Sequence, residues 1–162
     1  MTELNSLAHF DIKYNYETSS YEFTTDDGVS YTITFIDYSE VMEVDFPVYS
    51  FAIERTPETK RCKNENNAVR NTVIMILSKF FERNENAMIV IYDSSDKRQM
   101  CRKRLFDKWF EEFNDGSLYK LDGHFTIDGI ENFAMALCNN NHPNLQDVED
   151  KFRKLLDCNF YN

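Results

Sequence analysis

Three features of the chain predict a single α+β domain. Two runs of alternating apolar and polar residues flank an Asp-Gly pair, the signature of an antiparallel hairpin. Three stretches, 65–83, 95–113 and 145–156, carry apolar residues at helical spacing. Between the first two lies 87–92, AMIVIY, apolar on both faces as a central strand requires. The expectation is a mixed, mostly antiparallel sheet of about five or six strands, with about three helices packed mainly on one face. A length of 162 residues fits one domain, 1–162.

The elements follow in order. Residues 1–11 read as a loose lead-in. In the hairpin, Tyr21, Phe23 and Thr25 alternate on one side of the turn. Val29, Tyr31, Ile33 and Phe35 alternate with Ser30, Thr32 and Thr34 on the other. Asp26 and Asp27 could be taken for a metal-binding pair, but Asp-Gly is sufficiently explained by left-handed turn geometry. Residues 46–54, FPVYSFAIE, form a third strand. The polar stretch 55–67, with Arg55, Lys60, Arg61 and Lys63, reads as a loop into a helix. In that helix Val69, Val73, Ile76, Leu77 and Phe80 share a face. The order strand, helix, strand suits a right-handed crossover into 87–92. The helix over 95–113 stops near Asn114-Asp115-Gly116. Residues 118–128 and 131–138 then read as paired strands, and 139–143 as a turn. The final helix points Val148, Phe152, Leu155 and Leu156 inward.

Composition narrows the classes. Phe (14) and Tyr (9) suit a packed core, and with only 4 Gly and 3 Pro the chain lacks the makeup of low-complexity disorder. Cys62, Cys101, Cys138 and Cys158 form no C-x-x-C pair, and the start carries no signal-peptide pattern. They read as reduced thiols of a cytoplasmic protein. No apolar run has the length of a membrane span. A net charge of -10 repels nucleic acid and anionic lipid unless a local basic patch wins.

Such a patch exists. Six of the 18 Lys and Arg lie between Lys97 and Lys108, with a single acid, Asp107, among them. On a helical wheel Cys101, Leu105, Phe106, Trp109, Phe110 and Phe113 span an arc of roughly 180°. Lys97, Arg104 and Lys108 fall outside it or at its edge, and Lys103 on the far side. These form a basic stripe whose ordinary reading is a solvated face. Arg98 and Arg102 fall inside the arc, toward the helix start, where Asp93 and Asp96 also belong. A helix start has free N–H donors and positive dipole charge. Two arginines there serve either an external anion or internal carboxylates. Asp96 and Gln99 match a capping-box spacing, and Asp93 has Arg98 and Arg102 within reach. Asp93, Asp96, Arg98 and Arg102 are therefore the candidate ligand or partner site, with a purely architectural reading beside it.

Other chemistry has little footing. Two carboxylates do not make a metal site by themselves. His9, His124 and His142 are not grouped with Cys or acid at ligand spacing, and each reads as a lone surface histidine. No glycine-rich phosphate loop or nucleophile elbow is present. Cys101 lies beside Arg102, yet its place on the apolar arc reads as an inert core thiol. No catalytic residue, metal or cofactor is assigned.

The pattern Tyr92-Asp93-x-x-Asp96-x-Arg98-Gln99-x-x-Arg102-x-Arg104-x-Phe106-x-x-Trp109-Phe110 resembles the core motif of a small uncharacterised bacterial family of Bacteroides type. The resemblance extends to DDGVSYTITF and VRNTVIMILSKFF, and so over most of the chain. It implies a short intracellular protein and no catalytic roles. The functional expectation is a small cytoplasmic binding or regulatory module. It engages an acidic or phosphorylated protein partner through the 93–108 surface. The alternatives are a metal-dependent phosphate-ester hydrolase using Asp93 and Asp96, or a nucleic-acid binder using the basic stripe. Nucleic acid is not favoured, and the oligomeric state is not legible in the sequence.

Overall fold

The Asp-Gly hairpin forms where its alternation dictates. Strands β2 (Ser20–Thr24) and β3 (Ser30–Asp37) pair antiparallel with Phe23 opposite Tyr31. Thr25 N–H donates to Val29 O, Gly28 N–H to Thr25 O, and Gly28 takes a φ of 81°, the left-handed value that glycine tolerates. This computed structural model describes residues 9–57 and 67–158, without the side chain of Cys158. Most of the expected lead-in, and the loop cations Lys60, Arg61 and Lys63, lie outside the described residues.

The sheet is mixed and, among the described residues, has seven strands, in the order β1-β2-β3-β4-β5-β7-β6. The others are β1 (Lys13–Asn15), β4 (Val48–Thr56), β5 (Ala87–Ile91), β6 (Leu118–Ile127) and β7 (Ile130–Asn139). Among the described residues four helices accompany them: α1 (Ser39–Met42), α2 (Asn67–Phe80), α3 (Gln99–Phe113) and α4 (Leu145–Cys158). The sequence expectation falls short by β1 and α1. At three and four residues, neither is long enough to show a period. No described helix is long and apolar enough to cross a membrane.

The chain groups into two compact units. The first comprises 1–35 and 51–82. In it Phe23, Tyr31 and Ile33 of the hairpin are buried, as are Val69, Val73, Ile74 and Ile76 of α2. Phe35 stacks on Phe80 at 4.4 Å, and Phe10 N–H donates to Thr72 Oγ1 at 2.9 Å.

The second unit comprises 36–50 and 83–162. Its part of β4 pairs parallel with β5, Val48 opposite Ala87, as a crossover connection requires. β5 also pairs antiparallel with β7, and β7 with β6. Successive residues of a strand face opposite ways, which assigns each helix a side. Ala87, Ile89, Ala134, Ala136 and Cys138 share a core with Val148, Phe152 and Leu155 of α4. Gly123 of β6 faces the same way, and a Cβ there would lie 2.4 Å from Leu156 Cδ1. Tyr92 and Met135 face the other way, joined by a Tyr92 Oη–Met135 Sδ contact of 3.8 Å. Phe106 of α3 meets Tyr92 edge-on at 6.2 Å. Within this unit α3 and α4 therefore cover opposite faces, which corrects the expectation of helices on one face. That expectation treated all helices alike. Small residues on one face of β7 admit α4, while α3 needs the Tyr92 side for its aromatics.

His142 is another correction. It is 5 % exposed, not a surface residue. Its Nε2 lies 2.9 Å from Glu85 O, and its Nδ1 accepts the Asn144 N–H at 2.9 Å. A neutral ring with its proton on Nε2 satisfies both contacts. The ring also meets Phe46 edge-on at 5.3 Å.

Candidate functional site

The strand-to-helix joint is built from short acidic side chains. Tyr92 N–H donates to Phe133 O, so the sheet continues one residue past β5. Asp93 then folds onto Ser95, accepting its N–H on Oδ1 and its hydroxyl on Oδ2, both at 2.9 Å. Lys97 takes a left-handed φ of 61°, and Asp96 Oδ1 accepts the Arg98 N–H at 3.1 Å. These local bonds compete with helix formation. Consequently α3 begins at Gln99, not at 95, and its N-cap is Arg98 with no side-chain capping bond. The expected Asp96–Gln99 capping box does not form. Gln99 Nε2 donates instead to Glu131 O at 2.8 Å, which ties the helix start to β7.

Arg102 closes the joint. Its Nη1 donates to Asp96 Oδ1 at 2.7 Å and to Asp93 O at 2.9 Å, and its Nη2 donates to Asp96 Oδ2 at 2.5 Å. This is a fork-to-fork pair of the strong, planar kind. The Arg102 bond holds the Asp96 carboxyl far below its usual range, and Asp96 in turn raises Arg102. The Ser95 N–H does the same, more mildly, for Asp93. The pair is open to water, with side chains 40 % and 42 % exposed, so its contribution is geometric more than energetic.

A second charge cluster lies beneath the helix. Lys103 Nζ donates to Asp107 Oδ2 at 2.5 Å, Lys120 of β6 donates to Asp107 Oδ1, and Lys120 also reaches Asp122. The Lys120 side chain is only 11 % exposed, and its ammonium lies 5.5 Å from the centre of the Phe110 ring. Burial works to raise Asp107, but the Lys103 and Lys120 bonds outweigh it and bring it below its ordinary value. Burial works to lower Lys120, and the Asp107 and Asp122 bonds bring it above. Tyr92, buried beside these acids, is raised chiefly by loss of solvent.

This cluster sets the rotation of α3 and overturns several expectations. Lys103 turns toward the sheet, not the far side. Cys101 is exposed and is not a core thiol. Arg98 is exposed, and its side chain pairs with neither Asp93 nor Asp96; only its main-chain N–H reaches Asp96. Trp109 is half-buried, 5.9 Å from Phe106, and its Nε1 is inaccessible, with no hydrogen-bond partner among the described residues. No residue of α3 is fully buried. A wheel counts apolar residues alone; it has no means of seeing that Asp107 and Lys120 neutralise a lysine on the inner side. The usable signal was the Lys120-x-Asp122 alternation, which puts two opposite charges on one face of a strand otherwise rich in apolar residues.

The outer face is simple. Lys97, Arg98, Cys101, Arg104 and Lys108 are all exposed. Among the described residues, no ion pair or hydrogen bond engages the side chains of Lys97, Arg98 or Arg104. The four candidate residues thus divide. Asp93, Asp96 and Arg102 are brought together, and all four carboxylate oxygens already accept bonds. Arg98 stands with the stripe. No group of three metal-ligating His, Cys, Asp or Glu side chains occurs among the described residues.

The site lies wholly inside a region shared with other proteins. The profile of a family of unknown function, DUF6169, matches residues 65–154, more than half of the chain. A comparison with curated proteins finds no match. The matched stretch takes in α2, β5, the acidic joint, α3, the β6–β7 pair and most of α4, and the chain therefore belongs to the DUF6169 family.

Proposed function

We propose that the chain is a small cytoplasmic binding or regulatory module that engages an acidic or phosphorylated protein partner through its 93–108 surface. The observation that carries this reading is the set of exposed cations Lys97, Arg98 and Arg104, whose side chains have no ion-pair partner among the described residues, on a protein with a net charge of -10. In such a chain most cations have acids at hand, and Arg102, Lys103 and Lys120 have found them. Those left over face water along one side of α3. The Arg102 fork and the Asp107 cluster hold that side in a fixed presentation, which lowers the ordering cost of binding. Arginine favours carboxylate and phosphate groups because its donors match them two at a time.

The nucleic-acid reading rests on the same stripe, but the negative field of the remaining surface works against a long polyanion. The hydrolase reading has less support, since the oxygens of Asp93 and Asp96 are committed to Ser95, Arg98 and Arg102. One titration separates all three. Fluorescence anisotropy is followed with a labelled phosphoserine peptide, a glutamate-rich peptide and a single-stranded oligonucleotide, alongside thermal unfolding with and without magnesium. Binding of the peptides at lower concentration than the oligonucleotide supports the proposal. Tighter oligonucleotide binding supports the stripe as a nucleic-acid surface, and stabilisation by magnesium supports the hydrolase. Binding to neither peptide overturns the proposal.

A further inference from the structure

β6 ends the sheet, and beyond Leu118 its outer edge is bare among the described residues. Direction follows from two bonds. Tyr92 N–H reaches Phe133 O, so odd-numbered residues of β7 turn their main-chain groups to β5. Asn140 N–H reaches Ser117 O, so even-numbered ones turn to β6. Their partners Tyr119, Leu121, Gly123 and Phe125 therefore bond β7. Leu118, Lys120, Asp122, His124 and Thr126 turn outward. Asn114 engages the N–H and O of Leu118 at 3.3 and 3.4 Å. The main-chain groups of the other four have no partner among the described residues.

A long bare edge is a template for another strand, and proteins normally blunt one with a proline, a bulge or a cover. Among the described residues β6 has none of these. Its ten residues match β7 one for one from Leu118 to Ile127, with no bulge and no proline. The lysine on it, Lys120, is neutralised from within by Asp107 and Asp122.

We propose that this edge pairs antiparallel with the same edge of a second copy, about a two-fold axis at Gly123, to give a homodimer with one continuous sheet. The occupant follows from symmetry. The bare residues are Lys120, Asp122, His124 and Thr126, and they are arranged symmetrically about Gly123. A two-fold there sets Lys120 opposite Thr126 of the second copy and Asp122 opposite His124 of the second copy. Every bare main-chain group finds a partner, and each facing pair exchanges two bonds. The Asp122 carboxylate holds Lys120, but its side chain is 49 % exposed and keeps lone pairs to accept from the facing imidazole. Leu156, half-buried above Gly123, comes against its own copy on the other face. A self-complementary patch of this kind makes a closed dimer, not a fibre.

Sedimentation of the full chain tests this. The wild type is expected at twice 19.3 kDa. His124→Pro removes a main-chain donor that faces water in the monomer, which an edge strand tolerates. It should sediment at 19.3 kDa with an unchanged circular-dichroism spectrum. His124→Asp, which sets carboxylates opposite one another twice, should weaken dimerisation more than about tenfold and carries the test if the proline variant does not fold. A wild type that stays monomeric up to about 100 μM, or a folded His124→Asp that dimerises as the wild type does, overturns the proposal.

Discussion

Asp107 on α3 and Lys120 on β6 form an ion pair across the helix–sheet interface, and Lys103 joins the same carboxylate from the preceding turn of the helix. The pair decides which way α3 faces. With Lys103 turned inward, the cations left on the outer side are Lys97, Arg98, Arg104 and Lys108.

Asp107→Asn leaves Lys103 beneath the helix without its carboxylate and Lys120 with Asp122 alone. Because the cluster is only partly screened from water, the cost is expected at about 1–2 kcal/mol, less than for a fully buried pair. The chain has one tryptophan, Trp109, and it lies on α3. Its emission should shift to longer wavelength at temperatures where the wild type is unchanged. An unaltered unfolding curve would remove the cluster from the account of helix docking.

The same cluster predicts a pH window. Asp107 is lower in the fold than in the unfolded chain, so its contribution is complete above about pH 4 and is lost as pH falls through the folded value. Lys120 is higher in the fold, so its contribution is complete below about pH 10 and is lost as pH rises through the folded value. Trp109 emission should be flat between these limits, and the acid-side change should be reduced in Asp107→Asn. An acid transition identical in both proteins would contradict this.

Gly123 is required by the close approach of α4. A Cβ at that position would lie 2.4 Å from Leu156 Cδ1 and 3.2 Å from Phe152 Cζ. Leu156 can move aside more readily than the buried ring of Phe152. Gly123→Ala is expected to cost about 1 kcal/mol, and Gly123→Val about 2–3 kcal/mol. In denaturant titrations, Leu156→Ala should cancel part of the alanine penalty, the mark of two residues in contact. Strict additivity would argue against the contact.

His142→Ala removes both contacts of a buried ring and leaves Glu85 O and the Asn144 N–H without them. The expected loss is about 2–3 kcal/mol, measured by the denaturant midpoint. A loss below about 0.5 kcal/mol would place the ring at the surface, as the sequence alone suggested.

How far the sequence was legible follows the range of the forces involved. The hairpin at Asp27-Gly28 and the apolar strand 87–92 are local patterns, and both appear where expected. The start of α3 is not legible, because in sequence Asp93 and Asp96 have the look of helix-start residues, whereas their oxygens bond the main chain two residues on. The phase of α3 was misread for a different reason. Lys103 owes its inward position partly to Lys120 and Asp122, which come from a strand later in the chain and across the sheet face. His142 carried no periodic signal at all, and its burial depends on Glu85 and Phe46, both far away in sequence.

The central proposal is that the cations in and before α3 divide into an inner set that orients the helix and an outer set that would engage the partner. Binding of a labelled phosphoserine peptide, measured by anisotropy across a salt series, tests it most directly. Lys97→Glu/Arg98→Glu/Arg104→Glu should change stability by less than about 0.5 kcal/mol, yet weaken binding at least about tenfold and flatten its salt dependence. Lys103→Gln should lower stability and leave the peptide affinity of the folded protein within about twofold. Equal peptide affinity in the wild type and the triple variant would contradict the account.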